Sequence, residues 1–114
     1  MHASELRIGV IGYNIAKVHS YAWLNIPIFY YPILKRPTLI AVSGRNQELT
    51  KSFAERFGYK RTYSDWRGLI RDPEVEVVDI CTPPNVHSEP AIACCEAGKP
   101  MLCEKPLARD AEEA

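Results

Sequence analysis

The sequence predicts an α/β fold, a parallel sheet with helices on both faces, and three observations carry that prediction. Short β-branched apolar runs alternate with amphipathic stretches of helical spacing along the whole chain. Four of the six glycines, Gly12, Gly44, Gly58 and Gly98, stand where the runs end or where helices stop. At 114 residues, 46% of them hydrophobic and 25% charged, the chain suits one globular domain. Alternating strands and helices form right-handed βαβ units, whose ligand sites lie at the carboxyl ends of the strands where strand order reverses.

Leu6 to Gly12 reads as the first buried strand, apolar and ending at a glycine. A helix is expected from Asn14 or Ile15 to about Leu24, with Ile15, Val18, Ala22 and Tyr21 as its apolar face and Pro27 and Pro32 as breaks. Trp23 to Pro32 is unusually aromatic. It either packs beneath a long connection or forms a surface: a wall over a ligand or a contact with another domain.

Thr38–Ser43 is the second strand. Asn46 caps a helix over Gln47 to Phe57 with Leu49, Phe53, Ala54 and Phe57 inward, and Gly58 stops it. Tyr59 to Tyr63 suggests a short third strand, and Ser64-Asp65 a cap for a short helix carrying Trp66, Leu69 and Ile70. Val75 to Cys81 is the fourth strand, His87 to Ala97 a helix ending at Gly98, and Pro100 to Cys103 the fifth strand. Arg109 to Ala114 opens another helix at the chain's end.

Formal net charge is zero, from 14 basic and 14 acidic residues, which argues against nucleic acid as a partner. No apolar run reaches spanning length and the first residues lack a signal-peptide pattern, so no membrane partner and a cytoplasmic location are expected. The cysteines 81, 94, 95 and 103 form no Cys-x-x-Cys pair. They read as small buried hydrophobes, and no metal is expected.

Candidate chemistry gathers at predicted strand ends. Gly12-Tyr13-Asn14-Ile15-Ala16 resembles a dinucleotide-binding turn, in which glycines admit the pyrophosphate to a helix N-terminus. The pattern is incomplete. Read without gaps, Asn14 stands at the second glycine and Lys17 at the third position; read with one deletion, Ala16 fills the third. The deletion fits better.

Ser43-Gly44-Arg45 ends the second strand without the acidic residue that binds an NAD ribose. Arg45 offers a partner for the 2′-phosphate of NADP, or is simply a solvated turn residue. Thr82-Pro83-Pro84-Asn85 forms a rigid loop beyond the fourth strand, and His87 supports that loop or caps the next helix. Glu104-Lys105-Pro106 follows the fifth strand, where a lysine on a fixed loop suits acid–base or electrostatic work.

Together these motifs resemble the N-terminal domain of the glucose–fructose oxidoreductase, inositol dehydrogenase and rhizopine-catabolism family. The most specific stretches are Val78 to His87 and Ala97 to Ala108. The resemblance implies a Rossmann-type fold, a cofactor of NADP by preference or NAD, and hydride exchange with a carbinol of a sugar, cyclitol or related polyol. It implies cofactor contacts from Gly12, Tyr13, Asn14, Ile15, Ser43, Gly44, Arg45, Thr82, Pro83, Asn85, His87, Glu104 and Lys105, with Lys105 as the catalytic residue. It also implies a second domain that completes the substrate pocket and a homo-oligomer. The expectation is one domain over residues 1–114, truncated near its C-terminal end and inactive alone. A non-catalytic dinucleotide-binding or regulatory module, or a self-associating fragment, is the alternative.

Overall fold

In the computed structural model, which describes residues 4–82 and 88–103, nine elements alternate in chain order. They are β1 (Ser4–Ile11), α1 (Asn14–Phe29), β2 (Lys35–Ser43), α2 (Gln47–Phe57), β3 (Arg61–Tyr63), α3 (Trp66–Arg71), β4 (Val77–Ile80), α4 (Ser88–Glu96) and β5 (Met101–Cys103). The strands form one five-stranded sheet in the order β3-β2-β1-β4-β5, every pairing parallel. Strand order reverses between β1 and β4, which creates a crevice at their carboxyl ends.

The helices divide between the two faces as the hydrophobic pattern demands. Ile8, Val10, Leu39 and Val42 pack with Ala16 of α1, Phe53 and Ala54 of α2, and Tyr59. Ile11, Ile40, Ala41, Val78 and Ile80 pack with Leu69 and Ile70 of α3 and Cys94 of α4. Ile40 and Ala41 lie on the same face although adjacent, because the β1–β2 register skips a residue there: Ile8 pairs Leu39 and Gly9 pairs Ala41. Burial in this second core pushes the Cys94 thiol up to about 11.

The expected stop signals hold. The Asn46 side chain accepts from the Leu49 amide at 3.0 Å, and Gly58 ends α2 at φ 85°. Asp65 likewise accepts from the Arg67 amide to start α3.

Helix α1 departs from expectation twice. It passes through Pro27 and ends at Phe29. Pro27 stands in the last turn, so its missing N–H removes one bond, and Tyr30 N–H still donates to Ile26 at 2.9 Å. Its inward face is also not the expected one. Ile15, Val18 and Tyr21 are exposed, while Ala16 and Ser20 are buried and His19 and Trp23 are half-buried. The polar members of this face are tolerated because each finds a partner, as the Ser20 hydroxyl does with Tyr59 Oη at 2.7 Å. Leu49, expected inside on α2, is exposed, and Thr50 takes the buried place.

The aromatic segment divides: Trp23 is half-buried and packs on the core, whereas the residues after Pro27 do not pack beneath the connection. Ile28, Phe29, Tyr30, Tyr31 and Leu34 are between 70% and 92% exposed. Helix α1 runs back along the parallel strands, and Lys35, which opens β2, pairs with Ser4 at the start of β1. The exposed run from Ile28 to Leu34 therefore lies at the amino ends of the strands, remote from the crevice, and is no wall over a ligand there. No helix among the described residues is long and apolar enough to cross a membrane.

Candidate nucleotide site at the carboxyl ends of the strands

Gly12 is the hinge of the site. It follows β1 with φ 111°, donates its N–H to the Ser43 carbonyl at 3.0 Å, and a Cβ here would lie 2.8 Å from the Cys81 carbonyl oxygen. Any side chain would thus collide with backbone beyond β4 while adopting a left-handed conformation. Cys81 N–H donates in turn to Ile11 O at 2.8 Å. The ends of β1, β2 and β4 are tied together around this one glycine.

Asn14 opens α1 with no positive φ, so it does not imitate a second glycine. Ala16 is fully buried between helix and sheet, the close helix–strand contact that the third position of the turn requires. Tyr13 precedes the helix but makes no side-chain cap to it, and no acidic residue stands in the first turn. The first-turn N–H groups and the positive end of the helix dipole are left to face the crevice.

Tyr13 instead reaches across to the end of β2. Its hydroxyl accepts from the Asn46 N–H at 3.0 Å and lies 2.9 Å from the Asn46 carbonyl, with Thr50 Oγ1 also in hydrogen-bond contact. Its ring covers Gly44, where any Cβ would overlap it. Ser43 is buried and its hydroxyl has no hydrogen-bond partner among the described residues. Arg45 is exposed on the turn and makes no ion pair among the described residues.

The structure therefore gathers Gly12, Tyr13, Ser43, Gly44 and Thr82 at the carboxyl ends of three adjacent strands, with Asn14 and Ile15 exposed on the first turn above them. Pro83, Asn85, His87, Glu104 and Lys105 lie outside the described residues.

Sequence reasoning missed a buried polar cluster next to this crevice. The Asp79 carboxylate, fully buried on β4, receives His19 Nδ1 at 2.8 Å and the Trp23 indole N–H at 2.9 Å. Cys81 Sγ lies 3.4 Å from His19 Nδ1 and 3.5 Å from Asp79 Oδ1. Among the described residues this is the one group of imidazole, carboxylate and thiol donors of a kind that could hold a metal ion, all within 4.8 Å of one another. Here these atoms bond to each other and to Trp23. The available signal was Asp79 itself, an acid in the apolar run Val77 to Ile80, which demands buried donors.

Comparison with known proteins agrees with this geometry. The family described as an oxidoreductase family with an NAD-binding Rossmann fold matches residues 6–114. Levoglucosan dehydrogenase of Pseudarthrobacter phenanthrenivorans is 46% identical over 111 residues, covering 96% of this chain and 28% of its own length. Myo-inositol 2-dehydrogenase of Thermotoga maritima is 37% identical over 103 residues, covering 90% of this chain and 28% of its own. A structure of levoglucosan dehydrogenase in complex with NADH superposes with a TM-score of 0.93 at 45% identity, over 96% of this chain and 30% of that one. The preference for NADP expected from Arg45 finds no support there, since the dinucleotide in that complex is NADH. The chain thus spans under a third of these relatives' length. A doubly wound parallel sheet, a glycine turn at its switch point and a match over nearly its whole length make this chain the NAD-binding Rossmann portion of a member of the glucose–fructose oxidoreductase, inositol dehydrogenase and rhizopine-catabolism family.

Proposed function

We propose that this chain holds NAD(H) across the carboxyl ends of β1, β2 and β4, as the cofactor-binding part of an enzyme oxidising a carbinol of a sugar, cyclitol or related polyol. The observation that carries the proposal is the Gly12 turn. It leaves the N–H groups of α1's first turn uncapped beside the switch point, and an anionic pyrophosphate fits both their hydrogen-bonding need and the helix dipole. When bound, the nicotinamide accepts or returns the hydride.

The chain's residues take the remaining roles. The first-turn amides of Asn14 and Ile15 bind the pyrophosphate, and Gly12 lets it approach the backbone. The segment after β2 receives the adenosine ribose. Thr82, Pro83 and Asn85 flank the cofactor toward the nicotinamide, with His87 supporting them. Glu104 and Lys105 lie beside the nicotinamide and substrate, and Lys105 orients the substrate hydroxyl and moves its proton. The names of the relatives, levoglucosan dehydrogenase and myo-inositol 2-dehydrogenase, support the substrate class. The relatives' greater length supports a substrate pocket completed by further chain, and the family resemblance alone suggests a homo-oligomer in the whole protein.

Titration with NADH, followed by fluorescence or calorimetry, tests the reading. The 114-residue chain binds NADH and, supplied with NAD+, does not oxidise polyols, and Gly12→Val abolishes binding while circular dichroism still reports an α/β fold. A folded chain that binds no dinucleotide refutes the proposal. Turnover by this chain alone refutes the need for further residues.

A further inference from the structure

The end of β2 holds the specificity question that Arg45 raised, and the residue that answers it follows the neighbouring strand β1. In dinucleotide-binding folds the ribose of adenosine meets the residues just after the second strand, and a 2′-phosphate is held there by main-chain amides and basic side chains. In this chain those positions are Gly44, Arg45 and Asn46. The Asn46 N–H is already taken by the Tyr13 hydroxyl at 3.0 Å, and that hydroxyl also contacts the Asn46 carbonyl and Thr50 Oγ1. The Tyr13 ring stands over Gly44 so closely that no Cβ fits beneath it. The ring is braced from behind by Phe53, edge to face at 6.2 Å between centroids.

We propose that Tyr13 is a specificity-determining residue that closes the 2′-phosphate seat and so makes the chain select NAD(H) over NADP(H). The inference rests on the cofactor reading above. Three physical points carry it. A phosphate arriving at Asn46 must displace the Tyr13 hydroxyl from an N–H it already satisfies, so no net bond is gained. The ring occupies the volume over Gly44 and so narrows the space beside the residues that follow β2. Arg45 remains exposed, so it offers a screened point of attraction without the fixed amides that would complete a phosphate site. Gly44 is explained by the same contact: it is small because Tyr13 lies on it.

The test compares NADH and NADPH dissociation constants for the 114-residue chain and for its Tyr13→Phe and Tyr13→Ala variants, each checked by thermal melting. Withholding one charge-assisted amide bond from a phosphate corresponds to a factor of about ten, so the unaltered chain binds NADH about tenfold tighter than NADPH. Tyr13→Ala frees both the seat and the amide, NADPH affinity rises, and the preference falls to about threefold or less. Tyr13→Phe keeps the fold-supporting ring and frees only the Asn46 N–H, so it gains NADPH affinity by a few fold even where the alanine variant fails to fold. Equal or tighter NADPH binding by the unaltered chain overturns the inference. So does an undiminished preference in either folded variant, and in that outcome NADH binding itself survives and the cofactor reading with it. Binding of neither dinucleotide removes both.

Discussion

The carboxylate of Asp79 and Nδ1 of His19 meet at 2.8 Å between β4 and α1, with the carboxylate wholly shielded from solvent. With the Trp23 indole as second donor at 2.9 Å, this pair fastens the helix whose first turn faces the crevice onto the strand that ends beside it. Removing the acceptor leaves two donors stranded near the core. Asp79→Ala is expected to lower the unfolding free energy by about 2–4 kcal/mol, and Trp23→Phe by about 1 kcal/mol, in urea denaturation. Equal losses for the two would show that Asp79 is held by His19 no more than by Trp23. Little loss for either would show that the cluster does not fasten α1.

The Ser20 and Tyr59 hydroxyls, 2.7 Å apart, show the same logic with neutral groups. Burial raises the Tyr59 phenol, only partly offset by its bond to Ser20. Tyr59→Phe or Ser20→Ala alone strands a buried hydroxyl and costs about 1–2 kcal/mol each. The double variant strands neither, so its loss falls short of the sum of the two single losses. Strict additivity in a double-mutant cycle would contradict a coupled pair.

How much of this was legible follows from what the pattern measures. Strands and helices announced themselves because Ile8, Val10, Val42, Val78 and Ile80 keep to apolar runs, and because Asn46, Gly58 and Asp65 signal local backbone needs. The inward face of α1 was misread because periodicity ranks residues by hydrophobicity, whereas burial of Ser20, His19 and Trp23 depends on partners in Tyr59 and Asp79, some 40 to 60 positions away. Gly12 and Ala16 were readable as backbone and packing requirements. The reach of Tyr13 to Asn46 was not, since nothing local to Tyr13 indicates a contact 33 residues along the chain. Arg45 was legible only as a charge, and a charge on an exposed turn does not say what binds it.

Asp72 predicts an acid-sensitive brace. Its burial opposes the charged form, yet bonds from Tyr63 Oη at 2.7 Å, the Glu74 amide at 2.9 Å and Arg61 Nη1 at 2.6 Å outweigh this and lower its carboxyl. The Arg61 guanidinium lowers Glu74 in the same way. A carboxyl whose pKa is depressed by folding stabilises the fold above its unfolded value, near pH 4, and loses that contribution as pH falls through the lower folded value. The stability difference between the unaltered chain and Asp72→Asn should therefore be largest near neutral pH and shrink as pH falls below about 4. A difference independent of pH would mean that Asp72 acts by shape and hydrogen bonding alone.

The exposed run Ile28, Phe29, Tyr30, Tyr31 and Leu34 concentrates apolar surface at the end of the sheet opposite the crevice. Isolated exposed hydrophobes are ordinary, but five within seven consecutive positions form a contiguous patch that favours association. Because α1 ends there, covering the patch leaves the Gly12 turn untouched. The chain is expected to self-associate as concentration rises, measured by light scattering, and Phe29→Ser with Tyr31→Ser should reduce association. These positions are about four-fifths exposed, so the substitutions remove little core packing, and the melting temperature and NADH affinity should change little. Loss of NADH binding in that variant would connect the patch to the crevice. A monomer at every concentration would leave the patch as surface that this chain alone does not cover with a second copy.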